Sequence, residues 1–229
     1  MSRYYRGRRA RHYNTRWRRF NRRTHAAALA MVDVAALYNV ETRLGPPPRV
    51  LDVACGTGTL LKQLLERLPN AEVYGVDASA DMLAQARTAL KGWPNVQLER
   101  VEVGFGETAG LPYEPGTFDL VICTNTLHDL ANPVATLSGL GRLLAPGGQL
   151  VLEDFARRKP SFAWTVFEWF ERRIEGGHGR AYTLAEVRSL CAQAGLPVAC
   201  EQAFTVNWLW HGWALRAYVA PSEAAEPLA

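Results

Sequence analysis

The run Val50-Leu-Asp-Val-Ala-Cys-Gly-Thr-Gly-Thr59, with Asp77 some twenty residues beyond it, constrains this chain more than any other stretch. A short apolar segment that ends in closely spaced glycines and passes into a helix reads as a strand–turn–helix unit. Glycines at such a turn let the backbone approach a ligand at the carboxyl edge of a sheet. One ligand class is excluded by detail. Pyrophosphate binding wants a third glycine at position 61, where this chain has Leu61, and an acid just before the turn, Asp52, repels phosphate. Asp77, at the end of the next strand, is placed to accept hydrogen bonds from ribose hydroxyls. The constellation asks for a ribose and a positively charged end, without phosphate.

Around that turn, apolar runs alternate with helical patterns. Strands are expected at 50–54, 72–76, 96–103, 118–124, 149–153, 198–204 and 214–219. Helices are expected at 60–68, at 80–90 behind Ser79 as N-cap, and from Asn132-Pro133 to Leu144. Thr183-Leu-Ala-Glu186 is a capping box that opens another helix, and Gly195 closes it. Pro146-Gly-Gly148 is read as the turn into the fifth strand. This rhythm implies a parallel sheet covered by helices on both faces. Gly45-Pro-Pro-Pro48 separates it from an N-terminal segment, so the expected organisation is a basic helical lid over 1–45, a main domain over 46–220 and a tail over 221–229 expected to be disordered. An aromatic insertion, with Phe162, Trp164, Phe167, Trp169 and Phe170, interrupts the main domain at about 155–182.

Charge is unevenly placed. The net value of +4 conceals ten arginines and no acid in residues 1–32, so the other 197 residues sum to −6. Within the head, Tyr13, Trp17 and Phe20 share one helical face, and a second helix is expected from about Thr24 to Tyr38. No apolar run of about 18 residues suggests a spanning helix, and the arginine-rich start has no apolar core after it to act as a secretory signal. Four dispersed cysteines, Cys55, Cys123, Cys191 and Cys200, lack metal-site spacing and read as reduced thiols of a cytoplasmic protein.

Five segments in order carry a resemblance. Val50–Gly58 resembles the first motif of the class I S-adenosylmethionine-dependent methyltransferases, and Val73-Tyr-Gly-Val-Asp-Ala-Ser79 the second. Gly106-Glu-Thr-Ala-Gly-Leu-Pro-Tyr113 is similar to the segment that reads adenine, Phe118–His128 to the fourth-strand motif, and Leu143–Leu152 to the one after it. The resemblance covers residues 49–154 and implies a Rossmann-like, doubly wound, mostly parallel seven-stranded α/β sheet. It also implies S-adenosylmethionine as cofactor and S-adenosylhomocysteine as product. The implied roles are these: Ala54, Gly56 and Gly58 line the methionine moiety through the backbone, Asp52 holds its ammonium, and Asn125 lies nearby. Asp77 takes the ribose, Ala78 and Met82 pack on adenine, and Glu107 and Thr108 sit at its edge; apart from the resemblance, Tyr5 and Tyr13 of the head either close over the cofactor as a lid or pack on a helix face. Glu107 departs from the family's usual aspartate, so its adenine contact is direct or bridged by water. Taken singly, the two glycines also suit an ordinary turn, and Asp77 a helix N-terminal acid.

Methyl transfer from a sulfonium needs alignment and dryness more than acid–base help. His128 and His178 are the candidate bases, each balanced by a plain loop role. Thr124–His128 lacks the paired prolines of enzymes that methylate exocyclic base nitrogens. The aromatics of the insertion, with Phe204, Trp208, Trp210 and Trp213, form a roof for a small apolar, aromatic or lipid-like acceptor or else pack in the core. The pattern resembles the group that includes quinone-ring, small-molecule and soluble phospholipid N-methyltransferases. Other readings are an RNA-modifying enzyme and a non-catalytic cofactor-binding protein. The arginine-rich head suits lid formation first, peripheral contact with an anionic membrane second and nucleic acid last.

Overall fold

The computed structural model describes residues 5–38, 46–103, 110–157, 169, 179–208 and 210–219. Its centre is a seven-stranded sheet: β1 Arg49–Val53, β2 Glu72–Asp77, β3 Val96–Arg100, β4 Phe118–Thr124, β5 Leu144–Phe155, β6 Val198–Thr205 and β7 His211–Tyr218. The order is β3-β2-β1-β4-β5-β7-β6. β1 to β5 pair in parallel, whereas β7 runs antiparallel between β5 and β6. The mostly parallel doubly wound sheet read from the sequence is the sheet observed.

Among the described residues seven α-helices accompany it: α1 Arg8–Arg11, α2 Tyr13–Met31, α3 Val34–Leu37, α4 Thr59–Leu65, α5 Ala80–Ala89, α6 Pro133–Arg142 and α7 Leu184–Gln193. Strand alternation divides the core in two. Leu51, Val53, Val121, Cys123, Leu150, Leu152 and Trp213 pack with Leu137 and Leu140 of α6 and Val187 and Cys191 of α7. Their neighbours Val50, Leu120, Ile122, Val151 and Ala214 face the other way, against Ala28 of α2, Leu61, Leu64 and Leu65 of α4, and Leu83 of α5. A strand buried on both faces must be apolar at consecutive positions, so these strands lack a polar–apolar alternation. Asp52 has the parity of Val50, which turns it towards α2 and α4.

Local signals explain most helix ends. The side chains of Ser79 and Asn132 accept from the Met82 and Ala135 N–H groups, and Thr183 and Glu186 form the reciprocal capping box. Several boundaries differ from expectation, among them the end of β3 at Arg100, the start of β7 at His211 and the break at Val32–Asp33 between α2 and α3. No break falls near Thr24: α2 runs unbroken from Tyr13 to Met31, because no Gly or Pro interrupts it, and the Thr24 hydroxyl is absorbed by the Asn21 carbonyl at 3.3 Å. β5 begins at Leu144, before the Pro-Gly-Gly turn, which it accommodates through Gly147 at φ +80° and a register shift opposite Phe118–Leu120.

The head is fastened to α5 and α4. The Gly7 N–H donates to Asp81 at 2.6 Å, the Ser79 hydroxyl to the Tyr5 carbonyl at 2.6 Å, and the Gln85 amide to the Ala10 carbonyl at 2.7 Å. Asn14 accepts from the Thr57 hydroxyl at 2.7 Å. Among the described residues no helix is long and apolar enough to cross a membrane.

Candidate active site

The turn after β1 holds three left-handed residues: Ala54 (φ 62°), Gly56 (φ 55°) and Gly58 (φ 72°). At Gly58 a side chain would meet Leu90 at 2.9 Å and the Cβ of Ala86 at 3.1 Å, so glycine there allows α4 to close against α5. The turn is held by Asp77, whose carboxylate accepts from the Gly56 N–H at 2.9 Å and the Ser79 N–H at 2.8 Å. Burial raises the Asp77 pKa, and the two hydrogen bonds oppose that rise only in part.

Beside this turn lie buried acceptors without partners. Asp52 is 1% exposed, and neither of its carboxylate oxygens has a hydrogen bond among the described residues. Burial first, and the nearby Asp77 second, push its pKa well up. Asn125 takes the left-handed conformation (φ 49°) just past β4. Its amide donates to Glu153 at 3.0 Å and to Thr24 at 3.5 Å, leaving Oδ1 buried and unpartnered. A buried polar atom without a partner costs about 1–3 kcal/mol, so such atoms point to a missing ligand.

The opposite wall is α2, which presents Tyr13, Trp17, Asn21 and His25 at four-residue spacing. Tyr13 stands edge-on to Tyr5 at 5.3 Å, and burial lifts its phenol to about 12. Trp17 meets Phe20, Phe20 meets Trp210 and Trp210 meets Phe155, with ring centres 5.4–6.0 Å apart. The chain of rings ends at His128, whose ring lies 4.5 Å from Phe155. Nδ1 of His128 is 2.9 Å from Asp154, which also accepts the His128 N–H at 3.0 Å, and Nε2 is 3.5 Å from Asp129. Carboxylates therefore face both ring nitrogens, with Asp154 orienting the ring through Nδ1.

These parts enclose one cavity of about 240 Å³. Of the residues singled out in the sequence, Tyr13, Asp52, Ala54, Gly56, Asp77, Ala78, Met82, Asn125 and His128 line it. Gly58 does not; it stands behind the turn, against α5. Glu107, Thr108 and His178 lie outside the described residues, as do 158–168 and 170–178 of the aromatic insertion and the tail. The expected roof divides: Trp210 lines the cavity, Trp213 is wholly buried with its indole N–H on the Tyr182 carbonyl, Phe204 packs across Gly212, and Trp208 is 85% exposed. Sequence reasoning missed Asn21, His25, Phe155 and Asp154. The four-residue spacing from Tyr13 was the available signal for the first two, and an acidic pair closing an apolar strand for the last.

A cavity at the carboxyl edge of β1, β2 and β4, with acids at the ends of two strands, suits a ligand with a ribose and a cation. Neither Lys nor Arg lines it among the described residues, which disfavours phosphate. The strand order and this site define a class I methyltransferase architecture. Residues 51–150 match the family model of a methyltransferase domain. The chain is 40% identical over 129 residues to the demethylmenaquinone methyltransferase of Thermus thermophilus, covering 55% of this chain and 56% of that one. It is 29% identical over 174 residues to the ubiquinone biosynthesis O-methyltransferase of Neisseria meningitidis, covering 73% and 71%. The fold matches magnesium protoporphyrin IX methyltransferase from Synechocystis, solved with bound S-adenosylhomocysteine, at a TM-score of 0.60 and 21% identity, over 92% of this chain and 98% of that one. These likenesses support a class I S-adenosylmethionine-dependent methyltransferase, whose domain model residues 51–150 match. It spans little more than half the length of the Thermus relative.

Proposed function

We propose that this chain methylates a small hydroxylated aromatic acceptor of the quinol type, with S-adenosylmethionine as donor. The observation that carries this reading is that His128, oriented by Asp154, ends a row of aromatic rings in the same cavity as the Asp52–Asp77 turn. The names of the Thermus and Neisseria relatives support the quinol class.

The residues present fit the cofactor. Asp52 and the Asn125 carbonyl supply the acceptors that an ammonium needs, Ala54 and Gly56 the close backbone, and Asp77 a carboxylate for the ribose diol. Ala78 and Met82 form an adenine floor, and Tyr13 covers the site. Gly58 serves by letting the turn close. When bound, S-adenosylmethionine supplies an electrophilic methyl on a sulfonium.

The protein's own task is then threefold. Phe20, Phe155 and Trp210 hold a flat ring by edge and face contacts. The same rings exclude water, which strengthens every charge interaction inside. His128 Nε2 takes the proton released as the new bond to the acceptor forms, and Asp154 stabilises the resulting imidazolium. His178 is the alternative base.

The exposed arginines of α1 and α2 lie outside the cavity and add peripheral contact with an anionic bilayer, each contributing about 1 kcal/mol near the surface. Incubation with methyl-labelled S-adenosylmethionine and a panel of short-chain hydroquinones, phosphatidylethanolamine and RNA tests the reading. Label is expected on the hydroquinone. Label on the lipid amine or the RNA, or no transfer by protein that binds the cofactor, contradicts it.

A further inference from the structure

His25 is 7% exposed and lines the cavity one turn beyond Asn21. Its surroundings fix which nitrogen carries the proton. The Gln63 side-chain nitrogen lies 3.2 Å from the Thr59 carbonyl oxygen and 3.1 Å from His25 Nδ1. A carbonyl oxygen only accepts, so the Gln63 atom facing it is the amide nitrogen, and the same nitrogen donates its second hydrogen to Nδ1. With Nδ1 accepting, the ring proton resides on Nε2. Burial keeps the ring neutral by lowering its pKa to about 4. The result is an uncharged N–H donor of fixed tautomer on the cavity wall.

The amino-acid end of the cofactor carries a cation and an anion together. Asp52 and the Asn125 carbonyl oxygen are unpartnered acceptors suited to the ammonium. The carboxylate needs a donor, and no Lys or Arg lines the cavity among the described residues. Thr24, the chain neighbour of His25, touches Asn125, which brings this turn of α2 against the same corner. A cationic side chain there would pair with Asp52 itself and compete with the ammonium; a neutral donor does not.

We propose that His25, through Nε2–H, donates to the carboxylate of the cofactor's amino-acid end, and that Gln63 is the positioning residue that sets its tautomer. This rests on S-adenosylmethionine as the cofactor.

Calorimetric titration with three ligands tests it: S-adenosylhomocysteine, its decarboxylated analogue and 5′-methylthioadenosine. A hydrogen bond to a charged group is worth roughly tenfold or more in affinity. Wild type should bind S-adenosylhomocysteine about tenfold more tightly than the decarboxylated analogue. His25→Phe should erase that difference while leaving the other two ligands unchanged. Gln63→Met, which keeps the ring but frees its tautomer, should reduce the difference about threefold. Equal losses for all three ligands in both variants, or an undiminished preference for the carboxylate in His25→Phe, would overturn the assignment. Failure of wild type to bind S-adenosylhomocysteine would instead overturn the cofactor reading on which it rests.

Discussion

The two sides of the cavity are built in different ways. On the β1–β2 side, side chains and backbone are tied together within a few residues: Asp77 holds the Gly56 and Ser79 amides, and Gly58 closes α4 on α5. On the β4–β5 side and along α2, the groups come from distant parts of the chain. Asp154 meets His128 across 26 residues, and Phe155 meets Trp210 across the sheet. A local turn must be right for any ligand of its class to bind, whereas a wall assembled from distant side chains can change with the acceptor. The turn that faces the cofactor is therefore held by local contacts, whereas the acceptor wall of Phe155, Trp210 and His128 depends on contacts distant in sequence.

That contrast breaks if changes on the two sides have the same effect. The largest loss is expected from Asp77→Ala, which removes the ribose acceptor and also releases the turn. S-adenosylhomocysteine affinity should fall at least about 100-fold by calorimetry, from two charge-assisted hydrogen-bond sets acting together. Gly58→Val comes next. Its left-handed backbone and its contact with Ala86 and Leu90 predict a loss of about 2–4 kcal/mol in denaturant unfolding. On the other side, Trp210→Ala should raise the acceptor KM by about tenfold and leave S-adenosylhomocysteine affinity untouched.

A smaller, pH-dependent effect concerns His25. Its folded pKa, about 4, lies below the unfolded value of about 6.5. The unfolded chain thus takes up this proton first as pH falls. Stability from the neutral ring is fully present above about pH 6.5 and is lost progressively down to pH 4, by an amount on the order of 3 kcal/mol at most. Denaturant midpoints measured across that range should fall more steeply for wild type than for His25→Phe. Parallel slopes would show that the ring is not held neutral.

The same contrast explains what could be read from the residues. The sheet, the glycine turn and Asp77 were legible because each depends on neighbours close in sequence or on strand periodicity. Asp154 and Phe155 were not, since nothing local says that the end of β5 faces the end of β4. Trp213 and Trp210 are three residues apart, yet one is core and the other cavity wall: Trp213 lies within β7, whereas Trp210 precedes it in the connection from β6. The helix at Thr24 was divided because alanine-rich and arginine-rich stretches look unlike one another, although both form helix well.

The central claim is that cofactor and acceptor meet in one cavity with His128 as the proton acceptor between them. The most direct test is the methyl-transfer rate of His128→Ala to a short-chain hydroquinone at saturating S-adenosylmethionine. The account predicts a fall of about 100-fold or more, within the usual range for general-base loss. A rate within a factor of two of wild type would contradict it.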